Sequence, residues 1–304
     1  MSKFTFWGDL FKFSTEVLDE DYHFDKNYVV KVKTKTQDGS GEYALKIEQT
    51  KPAEDGQSTN AMELKQKISF PNFTSENKVK TGGKVTSENE FRLDSLNDQF
   101  RGWSYVLTAN LASGQTLDKS SFNSSLKFRQ ANLEAKIHFD HSNNGLLEAE
   151  GSFKPRPDSH VIVGGQAALN YKTTKLQKYG IGFLNRLHDR FSFGVHNWSD
   201  DGVNCGNFKL YTLQSVNETT DVSTVVGYSL NSKKMAASAG FIHRHDLSTQ
   251  WKGKVNSDGL FALSFKHLIG ASTTLTLSTA FDLGNKTVLH QNPHPFGIAV
   301  ESKF

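Results

Sequence analysis

The stretch TTLTLSTAF, residues 273–281, alternates almost without a break. Leu275, Leu277 and Phe281 fall on one face, with Thr279 between them, while Thr274, Thr276, Ser278 and Ala280 fall on the other. A strict period of two marks a strand lying between two different environments. In a soluble sandwich the leucines would point into a core and the threonines into water. In a membrane barrel the leucines would meet lipid and the threonines a wet interior.

The same period runs outward from this stretch through most of the chain. In YVVKVKTK, Tyr28, Val30 and Val32 oppose Lys31, Lys33 and Lys35; in EYALKIE, Tyr43, Leu45 and Ile47 oppose Glu42, Lys46 and Glu48. WSYVLTANL, NLEAKIHFD, TVVGYSL and FGIAVESKF repeat it. Turn clusters such as QDGSG, DHSNNG, SDDGVNCGN and NSDG separate these runs, and all six prolines sit between or at the edges of them. Those are the places where a ladder tolerates a residue without an N–H. A membrane strand of roughly 10 residues plus a turn of about five divides residues 27–303 into roughly 18 to 20 strands. That is more than one sandwich uses. Closing them removes the exposed edges, and a barrel of that size cannot fill its interior with side chains, so it holds water.

Composition agrees. Of 304 residues 36% are hydrophobic, yet 23 are Phe, so the chain is neither a typical globular sequence nor a disordered one. No stretch approaches the roughly 20 apolar residues of a membrane-spanning helix, and a barrel needs none. With 35 basic against 32 acidic residues the net charge of +3 gives no argument for nucleic acid. Cys205 is the only cysteine, which excludes an internal disulfide. The N-terminal segment carries Asp9, Glu16, Asp19 and Glu20, whereas transit peptides avoid acids, and no signal peptide is expected.

Residues 4–20, FTFWGDLFKFSTEVLDE, follow a helical period instead. Phe6, Trp7, Leu10, Phe11, Phe13, Val17 and Leu18 cluster on one arc; Asp9, Lys12, Thr15, Glu16 and Asp19 fill the other. The chain therefore reads as residues 1–25, an amphipathic helix and linker, followed by residues 26–304, a barrel. On the polar face of the first four strands lie nine lysines (Lys31, Lys33, Lys35, Lys46, Lys65, Lys67, Lys78, Lys80 and Lys84) against Glu42, Glu48, Glu63 and Glu76.

Several segments resemble the voltage-dependent anion channel family of mitochondrial outer-membrane porins. At the N-terminus these are Asp9-Leu10, Lys12, Val17, Tyr22, Phe24 and VKTKTQDG (32–39). Residues 252–286, KGKVNSDGLFALSFKHLIGASTTLTLSTAFDLGNK, are similar to a family run, and FGIAVESKF resembles its closing strand. That strand carries Gly297, Ile298 and Val300 of the family's barrel-insertion signal, with Pro295 at its usual polar position. The strand NKVKTGGKVT (77–86) lacks the lipid-facing acid of some members, and RGW (101–103) stands where the family has a short GLK element. The resemblance implies an all-β, 19-stranded transmembrane β-barrel closed by parallel first and last strands, with the N-terminal amphipathic α-helix inside the pore. It implies a voltage-dependent, weakly anion-selective channel for ATP, ADP, phosphate and carboxylates across the mitochondrial outer membrane, lined by Lys12, Lys31, Lys33, Lys35, Lys46, Lys65 and Lys67. Its partners would be membrane lipids, anionic metabolites and nucleotides in transit, and further copies of itself or other mitochondrial membrane proteins, with no nucleic acid and no cofactor.

Other constellations read as wall or loop. His243-x-His245 has a metal-pair spacing but no adjoining Cys or carboxylate cluster, and His138 and His141 likewise. VGGQAAL lacks the GxGxxG and the helix of a phosphate loop. No catalytic residues are expected. The competing readings are a protein-import pore of the same architecture, whose wall would carry acidic and apolar tracks, a non-conducting scaffold subunit, and a soluble β-protein, which would stay in the aqueous phase on detergent partitioning.

Overall fold

The computed structural model describes residues 9–23, 25–51, 58–94, 98–112, 121–141, 145–156, 158–188, 190–203, 206–282 and 296–304. A short helix, α1 (Lys12–Leu18), precedes nineteen strands. The first are β1 (Lys26–Lys35), β2 (Gly41–Thr50), β3 (Thr59–Phe70), β4 (Phe73–Lys80), β5 (Lys84–Arg92) and β6 (Trp103–Ala112). Next come β7 (Ser121–Arg129), β8 (Leu133–Asp140), β9 (Leu146–Phe153), β10 (Val161–Asn170), β11 (Lys175–His188) and β12 (Phe191–Ser199). The last are β13 (Asn207–Ser215), β14 (Thr220–Ser229), β15 (Lys234–Arg244), β16 (Thr249–Asn256), β17 (Leu260–Ile269), β18 (Thr273–Asp282) and β19 (Phe296–Lys303).

All nineteen belong to one closed sheet, a β-barrel. Pairings are antiparallel from β4 to β12, from β15 to β19 and between β1 and β2. An odd number of up-and-down strands leaves the first and last running the same way, so the seam must be parallel. It is: Tyr28, Val30 and Val32 of β1 register with Ile298, Val300 and Ser302 of β19.

The chain divides into two compact units. One comprises the described residues up to Lys12, Lys67–Tyr211 and Gly227–Met235; the other comprises Phe13–Gln66, Thr212–Val226 and Ala236–Phe304. In the first, Leu107, Ile137, Phe139, Val163 and Phe183 share the outward side of β6 to β11, and several of them are exposed. In the second, Phe281 and Ile298 are exposed, and Phe265, Leu277 and Ile298 stand side by side across β17, β18 and β19. Burial is inverted relative to a soluble domain. Ser14, Ser152, Ser223, Ser264, Ser278, Thr276 and Ala262 are buried, whereas Met62, Leu64, Leu111, Phe122, Ile181 and Ile298 are exposed. In TTLTLSTAF the buried side chains are Thr276, Ser278 and Ala280.

The helix is shorter than its sequence pattern. It spans Lys12–Leu18, with a turn before it and a turn at 19–21 after it, and residues 4–8, including Phe6 and Trp7, lie outside the described residues. The run Asp19-Glu20-Asp21 stops it: Asp21 adopts φ of 66°, the left-handed region that Asp tolerates better than most residues. The faces follow the sequence pattern. Leu10, Phe11, Val17 and Leu18 are buried, while Asp9, Lys12, Glu16 and Asp19 are exposed. Ser14, unassigned by the periodicity, is also fully buried.

Candidate functional site: the polar face and the N-terminal segment

Residues 9–23 pack on the small and polar face of the strands, and small wall residues make the seat. In the first unit, the Phe11 ring stacks on Tyr211, with centroids 4.4 Å apart and planes 9° apart, and on His196 at 5.3 Å. Gly194 makes this possible, because a Cβ there would lie 2.7 Å from the Phe11 ring.

In the second unit the contacts become polar. The hydroxyls of Ser14 and Ser223 meet at 2.5 Å in a buried pair, and Ser223 also donates to the Thr212 carbonyl at 2.9 Å. Lys252, only 5% exposed, donates from Nζ to the Glu16 carbonyl at 3.1 Å. A cation at the carboxyl end of a helix satisfies carbonyls that have no partner within it. The same ammonium lies 2.9 Å from the Asp21 carboxylate, which Lys266 approaches at 3.1 Å from its other oxygen. Ser264 Oγ donates to the Asp21 carbonyl at 2.9 Å, and the His23 N–H donates to Ser278 Oγ at 2.9 Å. Lys254 Nζ stands 4.5 Å from the Tyr22 ring centroid, while Tyr22 packs on Ala262 and Ala280.

Burial works against the Asp21 charge, but Lys252 and Lys266 outweigh it and hold the carboxyl below its ordinary value of 3.8. Burial, and then Lys31, hold the His23 imidazole below its ordinary 6.5, with Asp21 pulling the other way and Lys26 adding to the depression. Both groups are depressed in the docked state, so both stabilise docking at neutral pH and lose that contribution as pH falls. His23 acts first, below 6.5, and Asp21 below 3.8. The expected result is that a spin label at Glu20 gains mobility as pH falls from about 7 to about 5, and that His23→Gln removes this dependence. An unchanged profile in the variant would exclude His23 as its source.

The sequence-predicted lysines lie on this face. Lys31 registers with Lys46, Lys33 bonds Glu301 at 2.9 Å, and Lys46 bonds Glu48 at 2.6 Å, while Lys35, Lys65 and Lys67 alternate onto the same side of their strands. Lys12 is exposed on α1. One correction concerns the charge count. Lys84 belongs to β5 rather than to the first four strands, and β5 adds Glu88 and Glu90 to the same side. Lys26 reaches Glu48 at 2.7 Å. The wall is a mixed-charge surface with a lysine surplus, not a purely basic one.

The lysines that hold the segment, Lys252, Lys254 and Lys266, were not singled out from sequence. For Lys252 and Lys254 the signal lies in the alternation of KGKVN, and for Lys266 in that of LFALSFKHL, but nothing local says which polar face receives the helix. Of the insertion signal, Ile298 and Val300 register with Leu277 and Leu275 on the apolar side. Gly297 has a different duty: a Cβ there would collide with the His23 carbonyl. Pro295 lies outside the described residues. His243 Nδ1 bonds Thr220 Oγ1 at 2.9 Å, His138 bonds Ser125 and His141 bonds Ser124. Among the described residues no group of three or more His, Cys, Asp or Glu side chains is placed to hold a metal ion.

Comparison with known proteins agrees with this geometry. An engineered structure studied for asymmetric conductivity aligns at 9% identity and a TM-score of 0.54, over 81% of this chain and 93% of its own. A triple mutant of the Rhodopseudomonas blastica porin aligns at 10% identity and 0.52, over 81% and 93%. At such identity the likeness shows the fold. No curated protein sequence matches significantly. The family model described as eukaryotic porin matches residues 5–297. The chain, an outer-membrane type of pore-forming barrel, belongs to the eukaryotic porin family.

Proposed function

We propose that this porin is a voltage-dependent, weakly anion-selective channel of the mitochondrial outer membrane that passes ATP, ADP, phosphate and small carboxylates. The observation that carries this reading is the lysine surplus on β1–β5, on the same side of the sheet as the docked N-terminal segment. A water-filled barrel passes hydrated solutes, and fixed charge on its wall biases which sign enters. Screening over about 10 Å at 0.1 M salt keeps that bias modest, so it should strengthen as salt is lowered. Passage requires no bond-making, and no catalytic group is assigned. The N-terminal segment supports the voltage response: it exposes Asp9, Glu16, Asp19 and Glu20 against Lys12. Each elementary charge moved across the field feels about 2.3 kcal/mol per 100 mV.

The test is neutralisation of Lys31, Lys33 and Lys35 to Gln in a planar bilayer under a salt gradient. The reversal potential should move toward cation preference, the more so because Glu301 loses its Lys33 partner. An unchanged potential would mean that these side chains do not line the conduction path.

A further inference from the structure

Two neighbouring rows of the polar side cross β8, β9, β10 and β11. One runs Lys136, Glu150, Gln166 and Gly180; the other runs His138, Glu148, Ala168 and Lys178. Lys136, His138, Glu148, Glu150, Gln166 and Lys178 line a cavity of about 190 Å³, with the buried Ala168 in its floor. Small residues make the space. Ala168 puts only a methyl group between Glu148 and Lys178, and a Cβ at Gly180 would lie 3.2 Å from the Gln166 amide nitrogen.

Opposite charges on adjacent strands of this wall neutralise each other: Lys136 Nζ lies 3.3 Å from the Glu150 carboxylate. Glu148 and Lys178 do not. They stand two strands apart, about 10 Å by the spacing of strands, with Ala168 between them. Among the described residues neither is ion-paired, and the Gln166 carboxamide has no hydrogen-bond partner. The cavity therefore presents one uncommitted carboxylate and one uncommitted ammonium on either side of a methyl group. Beside them is a carboxamide that can both donate and accept.

We infer that this cavity binds small zwitterionic metabolites, with an ammonium at one end and a carboxylate at the other. The ligand ammonium meets Glu148, the carboxylate meets Lys178, and Gln166 bonds either pole. A plain anion would bring its charge against Glu148 and a plain cation against Lys178, so a ligand with one pole loses a contact and gains a repulsion. The volume lies below the roughly 300–1,000 Å³ of ordinary ligand pockets, which confines the ligand to a few heavy atoms. A zwitterion has no net charge, so the lysine surplus that favours anions does not select it, and the cavity gives the wall a separate handle on it. The site is open to the aqueous side and holds its ligand weakly, as a solute in transit requires. The inference rests on the polar side facing water, which the channel reading shares, and on neither anion preference nor a voltage response.

The test titrates purified full-length protein in detergent micelles with γ-aminobutyrate, followed by saturation-transfer NMR. Binding should saturate, and butyrate and butylammonium, each lacking one pole, should bind about tenfold more weakly or less. Glu148→Lys and Lys178→Glu should each lose about tenfold in affinity, whereas the double variant E148K/K178E should recover it, because the ligand can bind the other way round. Ala168→Leu, which fills the floor and changes no charge, should also weaken binding. Equal binding of the three ligands, a double variant as weak as its single parents, or an Ala168→Leu variant that binds as wild type does would overturn the proposal. Conductance separates the two readings. Protein that binds γ-aminobutyrate and never conducts contradicts the channel and leaves the cavity standing; protein that conducts and shows no saturable binding contradicts the cavity alone.

Discussion

Leu277→Arg is expected to destabilise the folded barrel by roughly 2–4 kcal/mol, the cost of an arginine on the lipid side near the bilayer midplane. Leu277 sits at the middle of β18 with Phe265 and Ile298 beside it on the apolar side. Thr108→Arg is expected to change stability by no more than about 0.5 kcal/mol. Thr108 stands opposite Glu88 and Asn123, so a new guanidinium would find water and a carboxylate. The sequence neighbour Thr276 is the wrong comparison, because it is only 5% exposed beside Asp21 and His23, where an arginine would lift the N-terminal segment. Reversible urea unfolding in phospholipid vesicles measures both. Equal losses, or a larger loss at Thr108, would remove the assignment of lipid to the leucine side.

Gly297→Val is expected to cost about 1–3 kcal/mol in the full-length chain, as overpacking against an immovable group does. The obstruction is the His23 carbonyl, a backbone atom that cannot rotate away. The substitution should detach the segment at His23, break its bond to Ser278 and alter the voltage response. In a chain lacking residues 1–23 the same substitution should be nearly silent, since the group it strikes is gone. This non-additivity separates a seat for the segment from a glycine needed only for barrel insertion, whose loss would be felt equally in both backgrounds.

The strands and their two faces were legible because a period of two is local and each strand states it for itself. Leu275 and Leu277 outward, with Thr276 and Ser278 inward, follow from parity alone once the outside is lipid. The parallel seam follows from an odd strand number. What could not be read is what depends on contact between distant residues. Ser14 looks like a polar interruption of an apolar arc until Ser223 is opposite it. Gly194 and Gly240 look like weak strand residues until Phe11 and Leu18 lie against them. The sequence reading carries the helix on to residue 20, past its end at Leu18, because its polar arc continues through Asp19, whereas the left-handed backbone at Asp21 is held by contacts with Lys252, Lys266 and Ser264, more than two hundred residues away. The lysine surplus was overstated because the boundary between β4 and β5 was placed too late, which left Glu88 and Glu90 out of the count.

The central claim is that the polar side of the closed sheet faces water within a membrane. Addition of the purified full-length protein to one side of a planar phospholipid bilayer tests it most directly. The account predicts discrete upward steps of current whose size grows in proportion to bulk salt concentration, as a wide aqueous path requires. A protein that inserts into the bilayer and yields no steps at any salt concentration would contradict it.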